Sequence, residues 1–104
     1  IIGGKGRMLD LDELCQEVVK NSQSIRKILI IGESKDRVAK ELESVGFDNF
    51  MVVNGVGMSE IVDHAKGLAK PGDSVVLSPG FPSFDMFKNY EDRGDQFVSE
   101  VNAL

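Results

Sequence analysis

Apolar and polar positions follow two rhythms along this chain, and the switch from one to the other recurs about four times. Lys27-Ile28-Leu29-Ile30-Ile31-Gly32 is a continuous apolar run rich in β-branched residues. That is the pattern of a strand covered on both faces in a parallel sheet. Ile1-Ile2-Gly3-Gly4 reads as the end of another buried strand, Phe50-Met51-Val52-Val53 as a short third, and Ser74-Val75-Val76-Leu77 as a fourth. Between them the apolar period lengthens. Asp10 and Glu13 have capping-box spacing, and Leu11, Leu14, Cys15, Val18 and Val19 fall at helical intervals, which predicts a helix over about 10–22. Ser34 is placed to cap a second helix that turns Val38, Ala39, Leu42 and Val45 inward and stops at Gly46. A third helix bears Ile61, Val62, Ala65, Leu68 and Ala69 and ends ahead of Pro71-Gly72-Asp73. After a loop holding Pro79 and Pro82, a last helix starts between Phe87 and Glu91 and carries Phe97, Val98 and Val101.

Strands that alternate with helices imply right-handed crossovers, hence an α/β fold with a mostly parallel sheet and helices on both faces. Ligands of such sheets bind at the carboxyl ends of the strands. The loops of interest are therefore 3–9, 32–34, 54–59 and 78–85. No internal repeat, low-complexity tract or second domain is visible across residues 1–104. Because it opens on what reads as the end of a strand, the chain is expected to be an excised domain of a longer protein.

Composition narrows the function. A length of 104 residues fits one domain, with 41% apolar and 28% charged residues, as in an ordinary globular protein. A net charge of −5 argues against a broad basic surface for nucleic acid, so any bound anion must be gripped locally. One cysteine, Cys15, excludes an internal disulfide and points to the cytoplasm. No apolar run approaches the ~20 residues of a membrane span, so no membrane partner is expected.

Two loops carry candidate chemistry. Gly3-Gly4-Lys5-Gly6-Arg7 follows a strand and precedes a helix, so its amides, with Lys5 or Arg7, suit an anion; a plain turn with two solvated cations explains it equally well. Its spacing matches neither a dinucleotide nor a triphosphate loop. In Ser78-Pro79-Gly80-Phe81-Pro82-Ser83-Phe84-Asp85, Ser83 stands where its hydroxyl and the following amides suit a carboxylate, or where Ser83 or Asp85 simply caps a helical turn. His64 reads as a surface helix residue and Cys15 as a small buried hydrophobe with a raised thiol pKa. Glu91, Asp92 and Asp95 read as a solvated helix face, and no metal site and no catalytic residue is assigned.

The run from Ser78 to Phe97, S-P-G-F-P-S-F-D-M-F-K-N-Y-E-D-R-G-D-Q-F, resembles the C-terminal signature of the D-glutamate-adding branch of the Mur ligase family, S-P-[AG]-x-x-S-F-D-M-F-K-N-[FY]-E-x-R-G-x-x-F. Ile2-Gly3-Gly4-Lys5-Gly6-Arg7 is similar to that domain's G-G-x-x-[KR] segment, and Lys70-Pro71-Gly72-Asp73 to its approach to the signature loop. Between Ile25 and Leu68 the likeness lies in pattern more than in motif. Gly80-Phe81-Pro82 departs from it, standing where the family more often has small residues.

The resemblance implies a Rossmann-like third domain of a cytoplasmic, ATP-dependent amide-forming ligase of cell-wall peptidoglycan synthesis, linked to cell shape and division. Such an enzyme adds D-glutamate to UDP-N-acetylmuramoyl-L-alanine through an acyl phosphate, with ATP and Mg2+ bound mainly by a central domain that this chain lacks. The fragment alone is then expected to bind neither cofactor, to be inactive and to be a monomer. By the same resemblance, Arg7 faces a carboxylate of D-glutamate, Ser83 supplies a hydroxyl to it, and Tyr90 takes the aromatic position that contacts it. The alternatives are the equivalent domain of a ligase using another amino acid, and a free-standing Rossmann-like anion- or nucleotide-binding module.

Overall fold

The computed structural model describes residues 1–4, 11–54, 57–81, 83 and 85–104. Three parallel strands, β1 (Ile2–Gly3), β2 (Ile28–Ile31) and β3 (Phe50–Val52), form a sheet in the order β1-β2-β3. Among the described residues four α-helices accompany it: α1 (Asp12–Lys20), α2 (Lys35–Ser44), α3 (Met58–Leu68) and α4 (Tyr90–Asn102), with a short 3-10 turn at Ser22–Ser24 after α1. The expected α/β fold is present, with helices on both faces.

β2 shows why its sequence is apolar without alternation. Ile28 and Ile30 point into a cluster with Cys15 and Val18 of α1 and Val38 and Leu42 of α2. Leu29 and Ile31 point the opposite way, against Met58, Ile61, Val62 and Ala65 of α3. Every second side chain thus meets a different helical layer, and burial of each such aliphatic group stabilises by roughly 1.5–3 kcal/mol. α4 completes the second layer through Phe97.

Helix ends follow local chemistry. Gly46 (φ +82°) ends α2, with its N–H donating to Glu43 O (3.0 Å) and the Phe47 N–H reaching Leu42 O (3.0 Å), the two bonds of a Schellman stop. Asn89 caps α4 by accepting the Asp92 N–H at 2.7 Å. Asp92 is more than a solvated face: the Lys88 N–H and then the Gln96 amide hold its carboxyl below the usual range. Ser34 does precede α2, but its hydroxyl makes no capping bond; it is buried and, among the described residues, without a partner. The expected cap of the first helix, Asp10, lies outside the described residues, and α1 runs shorter than its periodicity predicts.

The fourth predicted strand is corrected. Ser74–Leu77 runs beside β1 but is not a regular strand. The Ile1 amine donates to Val76 O (2.9 Å) and the Ser78 N–H to Ile1 O (3.1 Å), as in a parallel ladder. The Gly3 N–H then reaches Pro79 O (2.9 Å), one residue beyond that register, and Pro79 has no N–H to return. Val75 and Val76 are 42% and 60% exposed, so this segment lacks the two-sided cover of β2. Val19, Val45, Val98 and Val101, predicted inward, are also exposed. Val98 follows Phe97 and Val19 follows Val18, residues that already fill the inward position.

The turn before this segment is held by charge. Asp73 pairs with Arg26 through Nε and through Nη2 (3.1 Å) and accepts the Lys70 N–H (2.8 Å). The Arg26 bond first, then the Lys70 amide, hold its pKa at about 2 against an ordinary 3.8. A depressed carboxylate pKa contributes stability that is whole above the unfolded value and lost as pH falls through the folded one. Urea midpoints of the chain and of Asp73→Asn should therefore differ at pH 6 and converge between about pH 4 and 2. The gap will be small, because the pair is partly exposed. A gap that persists at pH 2 would refute the assignment.

Candidate functional site at the carboxyl end of the sheet

The carboxyl ends of β1 and β2 approach each other at backbone distance. A Cβ on Gly3 (φ +136°) would lie 1.9 Å from Ile31 O, and one on Gly32 (φ +80°) would lie 2.7 Å from Gly4 Cα and 2.6 Å from Asp85 Oδ2. The Ser34 N–H donates to Gly4 O at 2.9 Å. Only residues without side chains fit such a junction.

Across it runs the loop that the sequence singled out. Phe81 is buried among Ile2, Leu11 and Leu42 on the α1/α2 side, whereas Phe87 is buried with Ile31 and Met58 on the α3 side. Two aromatic anchors on opposite faces thus make the loop a strap over the strand ends. Phe81 is one of the residues at which the chain departs from the small-residue pattern; its ring is accommodated in the core. Gly80, at φ +71°, supplies the left-handed turn that admits it.

Polar bonds hold the strap at several points. Arg93 of α4 donates from Nη1 to Phe81 O at 2.8 Å. Ser83 O accepts the Met86 and Phe87 N–H groups at 3.3 and 2.9 Å. Asp85 Oδ2 accepts the Glu33 N–H at 2.7 Å, joining residues 52 positions apart. Burial draws the Arg93 guanidinium below its ordinary pKa while the Asp85 charge opposes this; it remains a cation.

The expected site residues fall as follows. Ser83 is 2% exposed, within the strap and between its two anchors. Tyr90 is the first residue of α4 and is 71% exposed, so its ring stands in solvent beyond the Phe87 anchor. Arg7 lies outside the described residues, as do Pro82 and Phe84. An open cleft of about 400 Å³ beside the strap is lined by Gly32, Glu33, Lys35, Asp85, Phe87 and Gln96. A larger one of about 560 Å³ lies at the amino ends of the strands, among Ile1, Arg26, Ile28, Asp73 and Val76. Fold topology favours the carboxyl end for a ligand.

His64 is exposed on α3, as its sequence position predicts. Cys15 is buried and free; burial, then the Glu41 and Asp12 carboxylates, push its thiol up. Sequence reasoning treated Asp85 only as a possible cap and missed both its long-range bond and Arg93. No signal within the loop reveals a partner fifty-two residues away. The closest hint is the pairing of two strand-end glycines, Gly4 and Gly32, whose approach implies a neighbour over them.

Comparison with known proteins adds identity to this geometry. No family model matches the chain. Proteins named UDP-N-acetylmuramoylalanine–D-glutamate ligase match it over all 104 residues: 41% identity in Legionella pneumophila (strain Lens), 39% in Pseudomonas fluorescens and 36% in Caldicellulosiruptor bescii. In each case the whole of this chain is covered, and it spans 22% of the relative's length. From end to end, the chain is homologous to the C-terminal region of UDP-N-acetylmuramoylalanine–D-glutamate ligases.

Proposed function

We propose that this chain is the D-glutamate-docking domain of an ATP-dependent peptidoglycan ligase that joins D-glutamate to UDP-N-acetylmuramoyl-L-alanine. The observation that carries the reading is identity of 36–41% along the entire chain with ligases of that name. In the reaction proposed, the carboxylate of the nucleotide substrate is activated as an acyl phosphate with ATP and Mg2+, held by other parts of the ligase. The amine of D-glutamate attacks the acyl carbon, and phosphate leaves. Among the described residues no three His, Cys, Asp or Glu side chains group as a metal site, and no magnesium ligand is assigned to this chain.

The chain's own contribution is grip and orientation. Ser83 donates its hydroxyl to a D-glutamate carboxylate, the Arg7 guanidinium faces the same ligand, and Tyr90 contacts it from the start of α4. Two features support this grouping. Gly4, three residues before Arg7 in the sequence, lies at the same end of the sheet as the Ser83 strap. Tyr90 is free to meet a ligand or a neighbouring domain. Charge-assisted bonds to a carboxylate contribute about 1.5–3 kcal/mol each, and holding an amine in line with an electrophile removes about 7–11 kcal/mol of a barrier. A domain without an acid or base of its own can therefore be essential to the rate.

The test is a graft. This chain replaces the matching 22% of the Legionella pneumophila relative, and phosphate release is measured with ATP, Mg2+ and UDP-N-acetylmuramoyl-L-alanine. Release should depend on D-glutamate and not on D-aspartate or meso-diaminopimelate. A folded, ATP-binding graft indifferent to D-glutamate would overturn the reading.

A further inference from the structure

We propose that Asp85 is a positioning residue for D-glutamate binding: its carboxylate, bonded to the Glu33 amide, sets the strap's height over β2 and so places Ser83. The inference rests on the reading of Ser83 as a D-glutamate contact. It goes beyond it by assigning a role to a residue that does not itself touch the ligand.

Three observations carry it. The Glu33 N–H to Asp85 Oδ2 bond, at 2.7 Å, links the strap directly to the β2–α2 turn. Asp85 Oδ2 also lies 2.6 Å from where a Gly32 Cβ would be, so the carboxylate rests on a surface that cannot yield. On the far side of Ser83, Arg93 fixes Phe81 O at 2.8 Å. Ser83 is thereby suspended between two tethers, one from α4 and one from the β2–α2 turn. Its own carbonyl is occupied by the Met86 and Phe87 amides.

A carboxylate is a poor neighbour for the two carboxylates of glutamate, a net anion at neutral pH, on electrostatic grounds alone. If Asp85 acted only through its charge, removing that charge would tighten binding. If it acts as a strut, the acceptor matters and the charge does not. Asp85→Asn keeps an acceptor of the same length; Asp85→Ala removes it; Asp85→Glu keeps the charge but adds a methylene where Gly32 leaves no room.

The experiment is a titration of the 104-residue chain with D-glutamate, followed at the Ser83 and Tyr90 amides by NMR, with L-glutamate as control and Glu33 amide exchange as the structural readout. Expected results are affinity within twofold of wild type for Asp85→Asn and about tenfold weaker for Asp85→Ala and Asp85→Glu. Glu33 amide exchange should accelerate in Asp85→Ala alone among folded variants that lack the charge. Should Asp85→Ala not fold, the Asn–Glu contrast decides. Equal affinities across the variants, or tighter binding in Asp85→Ala, would overturn the positioning role and leave the site standing. A folded wild-type chain that does not respond to D-glutamate would remove the site and the positioning role together.

Discussion

Gly3→Ala is expected to destabilise the chain by about 3–5 kcal/mol, enough to leave much of it unfolded at room temperature. The new methyl would lie 1.9 Å from Ile31 O, a backbone atom of the central strand, and the residue is at φ +136°. A strained backbone conformation costs on the order of 1–3 kcal/mol and overpacking a similar amount. Relief would require β1 to move away from β2, breaking the Gly3↔Ile31 register and the Gly3 N–H bond to Pro79 O that holds the strap. Domains of this size have little reserve, since total stability is typically about 5–15 kcal/mol. Urea denaturation followed by far-UV circular dichroism measures the change. Gly67→Ala is the control: this residue sits within α3 with nothing near its Cβ position, so the same substitution should raise stability by about 0.5–1 kcal/mol. A Gly3→Ala midpoint equal to wild type would mean that the β1–β2 junction is not as close as described.

That junction also marks where the sequence stops being legible. The apolar run Ile28–Ile31 is readable as a doubly covered parallel strand because burial on both faces leaves a local signature, and its two helical layers lie where that signature requires. Helix stops are equally local, as the Gly46 turn illustrates. Ser74–Leu77 looks like a strand on the same evidence and is not one, because pairing depends on a neighbour's register, which no residue in the segment records. Val98 and Val101 fit the period of a buried face, yet α4 turns Phe97 inward and leaves both exposed. Ser34 has the identity of a cap without its bond. In the candidate site, the loop around Ser83 stands out in the sequence as a candidate, whereas the two tethers that fix that loop come from Glu33 and Arg93, distant in sequence from the residues they hold.

Replacing both Arg7 and Ser83 by alanine in the grafted ligase is expected to raise the D-glutamate KM by on the order of 10²–10⁴, with the KM values for ATP and the nucleotide substrate little changed. Each residue is proposed to give one charge-assisted bond to a carboxylate, about 1.5–3 kcal/mol apiece, and every 1.4 kcal/mol is tenfold. The upper end applies if the two bonds act independently; the lower end applies if they share one carboxylate, since losing either then loosens the other. A fall in kcat should accompany the KM change, because a ligand held by fewer donors presents its amine less often along the line of attack. Ser83→Ala alone tests the strap without changing the β1 loop, and because Ser83 is buried, circular dichroism of the variant accompanies the assay as a check on the fold. Ordinary D-glutamate saturation in the double variant would separate this end of the sheet from the amino acid. The cleft among Ile1, Arg26 and Asp73 at the opposite end would then be the place to look.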